Sequence, residues 1–586
     1  MVVVTIRKYK GGVFTLWRSG MAKRESSETS VSGLELILAE SLRHIVRTTW
    51  QQRPLAVKLK DEGNALFIKK QYADAYVKFS QAIALDDKNA IFWANRAACL
   101  LSMERHLDAA HDARKATTLD HLYPKAWARL ATAESALRDH ENSAVHWEMA
   151  LQMLPIENVS PAEIQQRQYY MEQLSIAKVK VQALKRSEAG FSVATPDQTP
   201  FQRALSLENE LRSRTTEKAS SSGWVLIAAY RDFKQGVENL KMLKQYGSGP
   251  GAIIMGHAGA LTDISNGVLR DSRIFHIDGP DFISAYNRQV STEAQRWGAL
   301  TEGGTDRVTS EILKLQQAKG WDVARPALST TVRACVMRGF LESHLKQDHD
   351  VGEEFLRRAL EVLEWGNSGP WGAVPFENKG TIFKKSFIQG VHVLHMKTYM
   401  QGYLHCPGPQ SRFPLEKLYD EASQVMFESS LVEKEMESHD VDPGFSSCYP
   451  YPKGYAYAMI GFCHAQMAEQ QVGAACSHFL QAATSYSQAA EQFPRDDENY
   501  CWYLYASLVN LWRCGTPIKD TLLIMKNIRE AIPEMMKIWE HSALARQGRD
   551  EALQHVLQTE EGILEGLLND TYKMDDMILP EYLVQK

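Results

Sequence analysis

Residues Ala56–Asn89 read AVKLKDEGNALFIKKQYADAYVKFSQAIALDDKN, and the next two blocks of 34 residues, Ala90–Tyr123 and Pro124–Glu157, fall into register with them. Column 4 of each block holds Leu59, Trp93 and Trp127. Column 8 holds Gly63, Ala97 and Ala131, column 20 holds Ala75, Ala109 and Ser143, and column 27 holds Ala82, Ala116 and Ala150. Small side chains at fixed columns allow two helices of one block to approach closely. Phe79, Trp93 and Trp147 are expected to fill the space between blocks. One such hairpin cannot bury its apolar face alone, so three stacked hairpins sharing a core are expected.

The register also groups five polar residues. Lys60 and Asn64 are four apart on the first helix of block one, and Lys125 and Arg129 are four apart on the first helix of block three. A spacing of four places each pair on one helical face. Asn95 and Arg129 are 34 apart and share a column. Three cations offer only donors, and two amides offer donors plus one acceptor each. Such a cradle suits an anion with several acceptor oxygens, such as the two carboxylates of a chain-terminal aspartate. Charge-assisted hydrogen bonds of about 1.5–3 kcal/mol each give a Kd of roughly micromolar order once association costs are met.

The 34-residue pattern resembles the tetratricopeptide repeat (TPR). The segments LKDEGN (Leu59–Asn64), WANRAA (Trp93–Ala98) and PKAWAR (Pro124–Arg129) resemble the dicarboxylate-clamp TPR domains of Hsp70/Hsp90 co-chaperones. The resemblance covers about 100 residues. It implies binding of the C-terminal EEVD tail of Hsp90 or cytosolic Hsp70. It implies that Lys60, Asn64 and Asn95 hold the terminal carboxylate, that Lys125 reaches the aspartate carboxylates, and that Arg129 serves the peptide upstream. Phe67, Ala98 and Leu101 match positions that shape the apolar pockets beside the clamp. Ser102 stands where many clamp domains carry Lys or Arg, which leaves the choice between Hsp70 and Hsp90 open.

The expected fold is all-α: an N-terminal three-repeat TPR superhelix followed by a larger helical, TPR-like domain. The expected divisions are an N-terminal extension (1–55), three repeats (56–157), a capping helix (158–187), a linker (188–222) and a helical C-terminal region (223–586). The capping helix has Ile164, Tyr169, Leu174 and Val179 among its apolar positions. A short helix around Phe201–Leu211 interrupts the linker. An amphipathic helix is expected over Trp224–Tyr246, ended by the turn Gly247–Gly251. Helical hairpins are expected at Pro326–Leu345 with Val351–Trp365, Tyr455–Glu469 with Gly473–Phe493, and Glu498–Arg513 with Ile518–Glu540. Segments 366–383 and 406–414 read as loops over a helical layer.

Composition narrows the function. With 586 residues, the chain has room for about three or four domains of roughly 150 residues. A net charge of −5 lacks the basic surplus of a nucleic-acid binder, and no apolar run is long enough for a transmembrane helix. Eight scattered cysteines (Cys99, Cys335, Cys406, Cys448, Cys463, Cys476, Cys501, Cys514) form no CxxC pair. Buried free thiols in a reducing compartment, cytoplasm or nucleus, are expected. The mildly basic start lacks an apolar signal core; a floppy extension is expected there, with Met21 as a second candidate start.

The glycine run at 247–251 lacks the Lys-Ser/Thr of a phosphate loop. His257 and His276 have no ligand-spaced partner, and Cys463-His464 and Cys476-Ser477-His478 read as core packing inside helices, so neither metal nor cofactor is expected. No catalytic signature is present. The leading expectation is a non-enzymatic adaptor that docks a chaperone tail, with an unknown partner for the C-terminal region. A TPR scaffold unconnected to chaperones and an enzyme with an unfamiliar helical site between 224 and 586 are the alternatives.

Overall fold

The computed structural model describes residues 53–155, 159–187, 198–213, 220–246, 253–436 and 450–584. Most of the extension, Cys448 and the glycine run lie outside them. The described residues are helical apart from one two-stranded hairpin, and none of their helices is long and apolar enough to cross a membrane. They fall into two compact units, divided in sequence between Phe92 and Trp93.

The first unit holds α1 (53–68) and α2 (Tyr72–Leu85). Gly63 explains its column: a Cβ there would meet the Phe79 ring at 2.8 Å. Phe79, Ala75 and Ala82 are buried at that contact. Glu62 of α1 takes Lys78 of α2 at 2.8 Å. Asn89 Oδ1 accepts from Ile91 N–H at 3.0 Å and so starts α3 (Ala90–Ser102).

The second unit continues with α4 (His106–Leu119), α5 (Pro124–Ala136), α6 (His140–Gln152) and α7 (Pro161–Ser187). The small columns are fully buried here too: Ala97, Ala109, Ala116, Ala131, Ser143 and Ala150. Ser143 donates to the Ala131 carbonyl at 2.8 Å, so column 20 touches column 8 directly. Trp147 is buried, and Trp93 is half-buried, with Arg96 over its ring and His111 edge-on against it.

Each repeat turns the same way. Lys70, Glu104 and Arg138, spaced by 34, all have φ near +60°. In each turn the following N–H bonds back five residues, Gln71 to Leu66, Arg105 to Leu100 and Asp139 to Glu134, at 2.9–3.0 Å. The left-handed residue bonds back three, to Phe67, Leu101 and Ser135. This is the Schellman ending, which satisfies the last carbonyls of the first helix.

Ser160 and Glu163 start α7 with a reciprocal capping box. Tyr170 and Ala177 carry its buried face against Trp147 and Ala150, with Leu174 beside them. Of the apolar positions noted in the sequence, Ile164, Tyr169 and Val179 are exposed. The stretch expected as a linker contributes helices Pro200–Ser206 and Glu208–Ser213, whose Phe201 and Leu211 are buried in the C-terminal core.

The three expected hairpins are present as Trp321–Lys346 with His349–Ser368, Pro450–Gln470 with Ala475–Ala490, and Glu498–Arg513 with Ile518–Trp539. One expectation fails: the helix begun at Ser222 stops at Lys241, and Lys244–Tyr246 pairs antiparallel with Ile253–Met255. The β-branched pair Ile253-Ile254 favours that pairing over helix. Within 366–383, Trp371 is buried between Trp321 and Trp365, with ring centroids 4.7 Å from each. Cys99, Cys335, Cys463 and Cys501 are buried free thiols, but Cys406 and Cys476 are exposed, one capping the end of helix Lys385–His405 and the other opening helix Ala475–Ala490.

Candidate functional site

The second helix of repeat two and the turns of repeats two and three are fastened to the C-terminal region. Leu107 N–H at the start of α4 donates to Glu354 Oε1 at 3.0 Å. Arg105 pairs with Asp108 at 2.8 Å and reaches Glu361 at 3.4 Å. Arg114 bridges Glu134 and Glu302, Arg138 pairs with Asp348, and Arg412 pairs with Glu104 and Asp350. Gly304 comes so close that a Cβ would lie 1.8 Å from Asp108 Oδ1. Burial pushes the Asp108 carboxyl up to about 6 against the pull of Arg105.

The first helices carry the expected cradle residues. In the first unit, Lys60 and Asn64 lie one turn apart on α1, both half-buried. Lys60 Nζ is 2.8 Å from Asp61 Oδ1. Phe67, one turn further, meets Tyr72 edge-on at 5.2 Å.

In the second unit, Arg129 of α5 donates through Nη1 to Asn95 Oδ1 of α3 at 3.3 Å. The 34-residue register therefore brings these two side chains together. Asn95 Oδ1 is the acceptor in this contact. Burial holds the Arg129 guanidinium below its usual range, among Tyr123, Tyr170 and Cys99. Among the described residues no ion pair neutralises Arg129 or Lys125. Lys125 is exposed one turn before Arg129. Ala98 and Leu101 are half-buried on α3 beyond Asn95.

Arg96 is the nearby cation that spacing did not single out. It grips Asp112 of α4 with two bonds, 2.6 and 2.9 Å, and holds α3 on α4. In the sequence Asp112, 16 residues on, looks like any solvated carboxylate, so nothing there marks the pairing.

The C-terminal region offers little that resembles a catalytic centre. A cavity of about 280 Å³ is lined by Leu243, His257, Gln289, Glu293 and Arg296. Its buried polar groups hold the adjoining turn: Glu293 accepts from Gly259 and Leu261 N–H, and Gln289 donates to His257 O and Glu293. Buried charged groups elsewhere in this region bind one another. Arg273 spans Asp271 and Asp497, Arg549 takes Glu498, and His395 takes Glu421.

No protein-family model matches the chain. The heat-shock protein cognate co-chaperone sgt12 of Aspergillus fumigatus is 36% identical over 99 residues, 17% of this chain and 29% of that relative. The Hsp70-Hsp90 organizing protein of Triticum aestivum is 36% identical over 101 residues, 17% of each chain. The crystal structure of the Sgt2 TPR domain from Aspergillus fumigatus is 30% identical, covering 25% of this chain and 90% of that chain, with a TM-score of 0.21. The chain thus spans less than a third of either curated relative. Over this limited N-terminal stretch the chain carries tetratricopeptide repeats of the Hsp70/Hsp90 co-chaperone type.

Proposed function

We propose that the N-terminal repeats bind the C-terminal EEVD tail of Hsp90 or cytosolic Hsp70. Lys60, Asn64, Asn95, Lys125 and Arg129 are its carboxylate ligands, and Phe67, Ala98 and Leu101 line the groove beside them. The protein then acts as a non-enzymatic adaptor in the cytoplasm. The observation that carries this reading is Arg129: a desolvated guanidinium whose partner across the helices is a neutral amide. Desolvation without a counter-charge is costly, and an incoming carboxylate recovers part of that cost. Lys125, exposed on the same helix, adds a second unneutralised cation. Likeness to relatives named as co-chaperones supports the choice of ligand.

Binding of the full chain to immobilised Hsp90 and Hsp70 tests the proposal, each compared with a version lacking its last four residues. Capture of the intact chaperone and loss of capture on truncation is the expected result. Equal capture of both forms refutes the tail as ligand and favours a TPR scaffold of another kind.

A further inference from the structure

His464 and His478 were read from the sequence as core residues. Both are half-buried instead, on neighbouring helices Pro450–Gln470 and Ala475–Ala490. Their Nδ1 atoms lie 3.2 Å apart. The ring centroids are 5.4 Å apart with planes at 28°, so the rings approach most closely at their nitrogens and splay apart behind them. Tyr419 of helix Leu415–Met436 meets the His464 ring edge-on at 5.6 Å and fixes its plane.

Two arrangements place imidazole nitrogens at this separation. One is a hydrogen bond from the N–H of one neutral ring to the lone pair of the other. The other is two lone pairs converging on a cation. Metal–imidazole bonds of about 2.0–2.1 Å at roughly tetrahedral angles separate the two nitrogens by about 3.3 Å. From this convergence we propose that His464 and His478 form a two-imidazole site for a divalent d-block cation of borderline softness, such as copper, nickel or zinc. Among the described residues no third histidine, cysteine, aspartate or glutamate joins the pair. Water therefore completes the coordination, and the site differs in kind from a closed structural zinc centre.

The test loads the full chain with Cu²⁺ below one equivalent, the ion that imidazoles bind most strongly in the divalent series. Electron paramagnetic resonance should show hyperfine structure from two equatorial nitrogens. His478→Asn keeps a polar group at the Nδ1 position but removes the ring; His464→Asn does the same on the partner helix. Either change should remove the two-nitrogen signature and weaken copper binding by at least about tenfold, at a melting temperature close to wild type in apo protein. Should one variant fold poorly, the other carries the comparison. Unchanged spectra in a folded variant place the copper at another histidine and overturn the proposal. Absence of any two-nitrogen signature in wild type returns the pair to a simple hydrogen bond and also overturns it.

Discussion

Arg129 Nη1 donates to Asn95 Oδ1 at 3.3 Å across thirty-four positions of sequence, joining equivalent columns of successive repeats. This contact holds both side chains in place, and among the described residues no acid pairs with the guanidinium. Replacing Arg129 by Gln should weaken binding of an EEVD peptide by roughly 2–3 kcal/mol, since a charge-assisted bond to the carboxylate is lost. Asn95→Ala should cost somewhat less, about 1.5 kcal/mol, because it removes bonds to charged partners but no cation. Isothermal titration of the full chain measures both, and the order of the two effects is as informative as their size.

The fastening of α4 to the C-terminal region makes a separate prediction. Gly304→Ala would drive a Cβ into the Asp108 carboxylate and disturb its pairing with Arg105. A loss of about 1–3 kcal/mol in unfolding free energy is expected, typical of an overpacked site. Asp108→Ala in the same chain should make the two changes non-additive, with part of the Gly304 cost removed. Additive losses in denaturant titrations would mean the close approach is unimportant.

Glu354→Ala tests the same seam from the other side. It removes the acceptor of the buried Leu107 N–H and one carboxylate of Arg357. A stranded donor costs about 1–3 kcal/mol. Hydrogen exchange at the first turn of α4 should accelerate in this variant, while exchange in α2 should be unaffected.

The cluster around His395 governs pH dependence in the C-terminal region. Burial disfavours the imidazolium, but Glu421 at 2.7 Å and Glu353 at 3.8 Å outweigh it and bring the pKa up to about 10. Burial likewise opposes the Glu421 carboxylate, yet His395 and His392 bring it down to about 2. The sign differs for the two groups. A raised histidine contributes its full stabilisation below its ordinary value of 6.5 and loses it as pH rises towards 10; the lowered glutamate contributes fully above 4.5 and loses it as pH falls towards 2. Both are therefore complete between pH 4.5 and 6.5. Melting curves of wild type should decline between pH 6.5 and 10 more steeply than those of His395→Gln, which starts less stable; parallel curves would contradict the assignment.

What the sequence disclosed follows from which constraints leave a residue-type signature. Gly63, Ala97 and Ser143 were legible because only small side chains fit where the helices of a repeat touch. Asn95 and Arg129 were legible because the period places them one above the other. The turns were not, since Lys70, Glu104 and Arg138 occupy a left-handed position that usually signals itself with glycine. Nor was the seam with the C-terminal region: Asp108 and Glu354 look like solvated charges in one dimension and are buried by residues some 250 positions away in the case of Glu354 and Leu107. The hairpin at 244–255 escaped because Lys-Gln-Tyr continues a helical pattern and its pairing partner lies beyond the glycine run.

The proposed ligand of the repeats is a free chain-terminal carboxylate. Titration of the full chain with a peptide ending in Glu-Glu-Val-Asp, and with the same peptide amidated at its C-terminus, tests this most directly. Micromolar binding of the acid, of order −8 kcal/mol, with at least about a tenfold loss on amidation is the predicted result. Equal affinity for the two forms would contradict it.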